Sequence, residues 1–303
     1  MKQKHLFLIL FLCMLTACTT IKTNKSNAVK TFDFEAHRGG RGLMPENTIV
    51  AMKNAVKMDM VQTLEMDVVI SKDKQVVVSH DPYFSAAITT TPSGTYLTAK
   101  EAVKTILYTM PYDSILRYDV GMKPYPNFPQ QQKTPAYKPL LADLVDTVES
   151  LARSLHRTIH YNIEIKSTSA TDNINHPEPD AFVRLVIPVL QQRKVLDRVV
   201  IQSFDIRPLK LIHQLYPAIA ISLLVDKDVA VKIGEQINKL GFTPYIYSPV
   251  STTVTQQMID ECHKRKMRII PWTVNSKEEI KKMIDLGVDG LISDYPDLFV
   301  QFK

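Results

Sequence analysis

Short apolar segments recur along this chain, each followed by a stretch with amphipathic-helix spacing, and that alternation narrows the fold more than any other feature. TFDFEAH (31–37) precedes NTIVAMKNAVKMD (47–59), VQTLEMDVVI (61–70) follows, and LLADLVDTVESLARSLH (140–156) leads into TIHYNIEIKS (158–167). RVVIQSF, AIAISLLV, TPYIYSP, MRIIPWTV and DGLISDYP continue the pattern. Strands alternating with helices give a parallel sheet. Nine segments qualify as strands once QVVVSHD (75–81) is counted. Only five residues link Ile70 to Val76, and a parallel crossover takes about a dozen or more. Residues 68–80 therefore form an antiparallel hairpin turning within SKDKQ. Eight strands remain, the number that closes a (β/α)8 barrel. The fold class is α/β, a TIM barrel with a hairpin extension on its second strand.

Residues 82–139 interrupt the alternation, and six of the chain's 18 prolines fall between Pro111 and Pro139. A loop this long inside a compact domain is expected to be a lid or binding element, with a solvated decoration as the alternative. Hanging from the hairpin, it sits at the barrel's catalytic face.

The first 17 residues read as a signal peptide: Lys2 and Lys4, an apolar run from Leu6 to Leu15, then small residues. That run is too short for a comfortable membrane span. Leu15-Thr16-Ala17-Cys18 resembles a bacterial lipobox, in which the cysteine is lipidated and becomes the mature N-terminus. Residues 18–30 read as a polar tether and 31–303 as the barrel. The expected location is an exported lipoprotein, membrane-anchored and facing the periplasm or cell exterior. Cys13 leaves with the signal and Cys18 is taken by lipid, so Cys262 has no disulfide partner and reads as a buried bystander in a helix. Loss of two lysines with the signal lowers the net charge from +6 to +4, a mild excess that makes no case for nucleic acid.

The candidate chemistry gathers at strand ends. Glu65 and Asp67 are two apart on a strand and share a face, with Leu64, Met66 and Val68 on the other. In IHYNIEIKS the same alternation puts His160, Asn162, Glu164 and Lys166 on one side. Three carboxylates at one barrel rim suit a hard divalent cation with oxygen ligands; a core salt-bridge network through Lys166 is the competing account. If the hairpin turn centres on Asp73, His80 returns to the level of Met66 or Asp67. His37 reaches the same rim from strand one, beside Arg38. Gly39, Gly40 and Gly42 are three of only nine glycines, and together with Arg38 they suggest close approach of the backbone to a phosphate. GGRG matches neither a dinucleotide fingerprint nor a Walker loop. PENT (45–48) is a helix start, capped by Asn47 or Thr48.

His37-Arg38-Gly39, PENT, Glu65-x-Asp67, His80-Asp81, Glu164-Ile165-Lys166, QSF (202–204), WTVN (272–275) and DGLISDYP (289–296) together resemble the glycerophosphodiester phosphodiesterase family. They occur in the family's order and span nearly the whole mature chain. The resemblance implies a (β/α)8 barrel that hydrolyses glycerophosphodiesters to glycerol 3-phosphate and an alcohol with one Mg²⁺ or Ca²⁺. It implies Glu65, Asp67 and Glu164 as metal ligands, His37 and His80 as acid–base groups, and Arg38 and Lys166 as phosphate ligands. Trp272 is either a wall for the glycerol or a core tryptophan. Many members carry an arginine and threonine shortly after the His-Asp pair, where this chain reads PYFSAAITTT, which leaves the substrate less defined than the reaction. Three alternatives fit fewer residues: a C- or D-type phospholipase on the same barrel, a silent phosphodiester-binding lipoprotein, and a metal-dependent sugar isomerase. A silent binder does not need two titratable groups at the rim, and an isomerase leaves Arg38 and Lys166 without a role.

The lipobox makes one direct prediction. Mass spectrometry of the mature protein should find Cys18 acylated, and Cys18→Ser should leave the chain in unlipidated, full-length form. An unmodified Cys18 at the mature N-terminus would end that reading.

Overall fold

The computed structural model describes residues 32–303, so the signal segment, Cys18 and the tether lie outside the described residues. All nine expected strands form, in one sheet. The first half of the barrel runs β1 (Asp33–Ala36), α1 (Ile49–Val56), β2 (Thr63–Ile70), β3 (Val76–Val78), α2 (Ala99–Ala102), α3 (Tyr112–Ile115), α4 (Leu141–Ser154), β4 (His160–Ile165) and α5 (Pro179–Gln192). The second half runs β5 (Val199–Ser203), α6 (Ile206–Leu215), β6 (Ala220–Val225), α7 (Ile233–Leu240), β7 (Ile246–Pro249), α8 (Gln256–Lys264), β8 (Arg268–Ile269), α9 (Lys277–Leu286) and β9 (Gly290–Ser293).

Eight strands lie parallel in the order β8-β7-β6-β5-β4-β2-β1-β9. Hydrogen bonds from Asp289 N to Ile269 O and from Ile292 N to Pro271 O, both 3.0 Å, bridge β9 to the β8 region and bring the ring nearly to closure. β3 runs antiparallel to β2, with Val68, Val69 and Ile70 opposite Val78, Val77 and Val76. That register is one of the two the hairpin spacing allows. It brings Ser79 N to 2.9 Å from Asp67 O, so His80 does return to the level of the β2 carboxylates.

Strand alternation sorts side chains as period two requires. Leu64, Met66, Tyr161, Ile163, Ile165 and Ile201 pack in one large apolar core with buried faces of α1, α4, α5 and α6. The opposite phase of β1, β2, β4 and β5 carries the buried polar groups Glu35, Glu65, Asp67, Asn162, Glu164 and Gln202. Ile246, Ile270 and Ile292 form a separate small cluster beside Trp272. Cys262 is buried in α8, and burial pushes its thiol up to about 12, the inert bystander expected of it.

The segment 82–139 is more ordered than a proline-rich loop suggests. Phe84, Ile88, Leu97, Leu107, Ile115 and Val120 build their own apolar cluster on Val69 and Val77 of the hairpin. Its last residues join the hairpin edge, where Val78 N donates to Pro139 O at 2.8 Å.

Two glycines separate backbone demand from mere tolerance. At Gly290, opposite Asp33 in the β1–β9 ladder, a Cβ would sit 2.4 Å from the Asp33 carbonyl oxygen. Gly234 in α7 meets only the Arg265 guanidinium, at 3.9 Å. Gly290→Ala should therefore lose about 1–3 kcal/mol of stability by overpacking, while Gly234→Ala should gain up to ~1 kcal/mol from helix propensity. Urea midpoints of the two variants check both signs.

Candidate active site

The mouth at the C-terminal ends of the strands is lined by His37, Arg38, Glu65, His80, Glu164, Lys166 and Trp272, seven residues expected at the site, together with Arg41, Gln202, Phe204, Leu224, Thr273 and Ile292. Asp67 lies just behind them, buried. Carboxylate oxygens of Glu65, Asp67 and Glu164 all fall within 4.8 Å of one another. The β2–β4 register, Glu65 opposite Asn162 and Asp67 opposite Glu164, puts them there.

Each carboxylate is held by a different element. Arg38 N donates to Glu65 Oε2 at 2.8 Å, and Gln202 Nε2 to Glu65 Oε1 at 2.9 Å. Asn47 Nδ2 donates to Asp67 Oδ2 at 2.8 Å, and Arg38 Nε lies 3.5 Å from the same oxygen. Lys166 Nζ sits 2.9 Å from Glu164 Oε1 and 3.8 Å from Asp67 Oδ1. Of the two candidate caps for α1, Thr48 fills the role, accepting from Ala51 N, and this frees Asn47 for Asp67.

The electrostatics are uneven across the cluster. Burial first, then the charge of Asp67, pushes the Glu65 carboxyl well above the usual range, and burial likewise raises Glu164 against the opposing charge of Lys166. Burial also works to raise Asp67, but the charges of Arg38, His80 and Lys166 and the Asn47 hydrogen bond hold it far below the carboxylate norm. Counting the buried neighbourhood, six carboxylates (Glu46, Glu65, Asp67, Asp81, Glu164, Asp294) meet four basic side chains (Arg38, Arg41, Lys138, Lys166). With all ionised, these carboxylates outnumber the basic side chains and net negative charge remains. A divalent cation with oxygen ligands matches both the donor set and that deficit.

The two histidines are oriented rather than free. His37 Nδ1 lies 2.5 Å from Asp294 Oδ1, and its Nε2 lies 4.0 Å from Glu65 Oε2. An ionised Asp294 only accepts, so Nδ1 carries the proton and Nε2 offers a lone pair to the mouth. Burial pushes the His37 imidazole down to about 4, against the opposing Asp294 hydrogen bond, so the ring is neutral at pH 7. Asp294 is itself held low: burial opposes, but hydrogen bonding to His37 and the charges of His37 and Arg41 prevail. Arg41 Nε reaches Asp294 Oδ1 at 2.7 Å, and Asn275 Nδ2 reaches Oδ2 at 2.8 Å. His80 Nδ1 pairs with Asp81 Oδ1 at 2.8 Å, with the ring about one-third exposed.

Two sequence expectations change. The glycines after His37 answer to packing: a Cβ at Gly39 would meet that of Ala51 at 2.9 Å, and one at Gly42 would meet the Tyr295 ring at 2.4 Å. The loop therefore needs them to sit against α1 and the segment leaving β9, whatever ligand stands beside it. Arg38, expected to face phosphate, also donates from Nη1 to Glu46 Oε1 at 2.9 Å and is mostly buried. Glu46, Arg41, Gln202, Asn275 and Asp294 were given no role from sequence, although all but Arg41 lie within quoted motifs. Trp272 lines the mouth with Nε1 donating to Ser248 O at 3.0 Å and its ring edge-on to Phe204, 5.6 Å between centroids. It is a wall residue with a structural anchor.

Comparison with known proteins agrees with this geometry. The model of the glycerophosphoryl diester phosphodiesterase family matches residues 37–298, and the chain belongs to that family. A glycerophosphodiester phosphodiesterase of Bacillus altitudinis is 28% identical over 269 residues, covering 88% of this chain and 96% of its own length. The crystal structure of a provisionally named glycerophosphoryl diester phosphodiesterase from Silicibacter pomeroyi DSS-3 superposes with a TM-score of 0.78 at 26% identity, over 90% of this chain and 94% of the other. An Oleispira antarctica phosphodiesterase, solved with the product sn-glycerol-3-phosphate, shares the fold with a TM-score of 0.69 at 21% identity, covering 89% and 95% of the two chains.

The Asp294–His37 pair makes a prediction that needs no substrate. In metal-free protein, ¹⁵N NMR should show His37 as the Nδ1–H tautomer, with a titration midpoint near 4 instead of the ordinary 6.5. Asp294→Asn, which can offer an N–H to Nδ1, should shift the population toward Nε2–H. A normal midpoint with mixed tautomers in the parent protein would break the assignment.

Proposed function

We propose that this chain hydrolyses glycerophosphodiesters to glycerol 3-phosphate and an alcohol with one divalent cation, Mg²⁺ or Ca²⁺, held by Glu65, Asp67 and Glu164. The observation that carries the reading is the buried carboxylate triad, left with net negative charge, flanked by two oriented imidazoles in one mouth. When bound, the cation would neutralise charge that builds on the phosphoryl oxygens. Lys166 and Arg38 approach the two oxygens of Asp67, line the mouth and add fixed positive charge toward a phosphate.

The residues divide the proton work. His37 Nε2, neutral and unprotonated, takes the proton from the attacking oxygen, which is water or the substrate's own glycerol hydroxyl. The new P–O bond forms as the P–O bond to the alcohol breaks. His80, whose Nδ1 is tied to Asp81, delivers a proton from Nε2 to the departing alkoxide. Attack by the glycerol hydroxyl would leave a cyclic phosphate for water to open. Phe204 and Trp272 present an apolar wall opposite the charged one, suited to the carbon face of glycerol. The N-terminal lipobox supports an enzyme tethered at a membrane surface, acting on small glycerophosphodiesters there.

Release of glycerol 3-phosphate from glycerophosphocholine should stop on chelation and return with added Mg²⁺ or Ca²⁺. Glu65→Gln should lose metal and activity without unfolding. Full activity after exhaustive chelation would refute the metal reading.

The histidine roles separate by leaving group. His80→Ala should slow alkyl glycerophosphodiesters by about 10²–10⁴-fold, the usual value of a general acid. It should spare much more of the rate on a nitrophenyl ester, whose alcohol departs without a proton. His37→Ala should slow both substrates. Equal losses for both variants on both substrates would overturn the division.

A further inference from the structure

Lys138 is the buried group that this mechanism leaves unused. It closes the 82–139 insertion immediately before Pro139, and only 6% of it is exposed. Its Nζ donates to Ser79 Oγ at 2.7 Å and lies 5.5 Å from the centroid of the Phe84 ring. Among the described residues, no carboxylate comes within 4.0 Å of that ammonium; its counter-charges are the more distant Glu46, Asp81 and Asp67. A buried cation with no directly paired anion costs stability, so packing does not account for it.

The geometry points to Lys138 as a positioning residue for His80, a reading that rests on the proposed acid role of His80. Ser79 Oγ accepts from Lys138 and donates its own hydrogen to the Asp81 carbonyl oxygen at 2.7 Å. With its acceptor side occupied by an ammonium, the hydroxyl is committed to that donation, and the Ser79–His80–Asp81 turn is closed from below. The Asp81 carboxylate then holds His80 Nδ1 at 2.8 Å. The same ammonium acts on that carboxylate: burial tends to raise Asp81, but the His80 hydrogen bond and the charges of His80 and Lys138 keep it below its usual range. Lys138 does not line the mouth, so it touches neither substrate nor metal. It acts through Ser79 and Asp81, and by this route the insertion is coupled to the proton delivered to the leaving alcohol.

Lys138→Met removes the charge and the hydrogen bond but keeps a long apolar stem. Its melting temperature should match or exceed that of the parent, because a hydrophobic replacement for a buried ion is commonly neutral or stabilising. Its rate on glycerophosphocholine should fall by about 10-fold or more, the scale of loss from a misplaced catalytic group, while the nitrophenyl ester is largely spared. Added to His80→Ala, Lys138→Met should cost nothing further on glycerophosphocholine, since the two act as one unit. An unchanged glycerophosphocholine rate would overturn the proposal, as would equal losses on both substrates with a lowered melting temperature. If His80→Ala itself shows no leaving-group dependence, the acid reading fails. Additive losses in the double variant, with that dependence intact in His80→Ala, would instead refute Lys138 alone.

Discussion

Asp67 sits where three carboxylates meet: Arg38, Asn47 and Lys166 all approach it, and Glu65 and Glu164 crowd the same space. Three carboxylates this close in a low-dielectric barrel mouth cannot all remain ionised without compensation. Much of the rim can be read as a response to that constraint. Arg38 supplies both a backbone N–H for Glu65 and a guanidinium for Asp67, which fixes where the His37 loop must run. Glu46 then balances Arg38, and Asp294 balances Arg41. Compensation by protein cations is only partial, and the net negative charge that remains on a cluster of oxygen donors is what a hard divalent cation could neutralise.

The two histidines line the same mouth and are braced from different parts of the chain. His37 is held by Asp294, and Asp294 by Arg41 and Asn275. Arg41 in turn lies 4.9 Å from the Phe128 ring centroid, and its carbonyl accepts from Gln131 Nε2 at 2.8 Å. Both Phe128 and Gln131 belong to the insertion, as does Lys138. The insertion therefore touches the supports of both imidazoles, where its length led to the expectation of a lid or binding element, with a solvated decoration as the alternative. Its own apolar cluster packs it onto Val69 and Val77 of the hairpin.

The fold was legible because strand period and crossover length are local properties. Five residues between Ile70 and Val76 forbid a parallel crossover whatever the rest of the chain does, and the eight-strand count follows. The carboxylate triad was legible for the same reason, as two-residue spacing on β2 and the matching phase on β4 set which carboxylates share a face. The supports were harder to see. Asp294 follows β9 in an irregular turn where no periodicity assigns a direction, and its partner His37 is 257 residues away. Glu46 sits in a helix start, where an acidic residue is unremarkable without the tertiary partner. Lys138, next to a proline in a polar stretch, reads as solvent-facing; only the return of the insertion onto the hairpin buries it. The glycines were ambiguous in a different way, because a loop's demand for close packing and for close ligand approach leave the same mark in a sequence.

Below the triad the barrel interior divides into two kinds of filling. Glu35, Asn162 and Gln202 form a ladder: Asn162 Nδ2 donates to Glu35 Oε2 and to Gln202 Oε1, and Gln202 donates to Glu65. Glu35 is raised well above the normal range, first by burial and then by Asp33, so the ladder starts from a carboxyl pushed toward its neutral form. Beside it, from Ile292 opposite Glu35 in the β1–β9 ladder, Ile246, Ile270 and Ile292 fill the interior with hydrocarbon next to Trp272. The polar ladder orients Glu65 from beneath without adding charge to a site that already has an excess. The hydrocarbon side continues into Trp272, whose ring meets Phe204 edge-on. The mouth is thus charged on one flank and apolar on another, and that asymmetry is already set by the side chains inside the strands before any loop contributes.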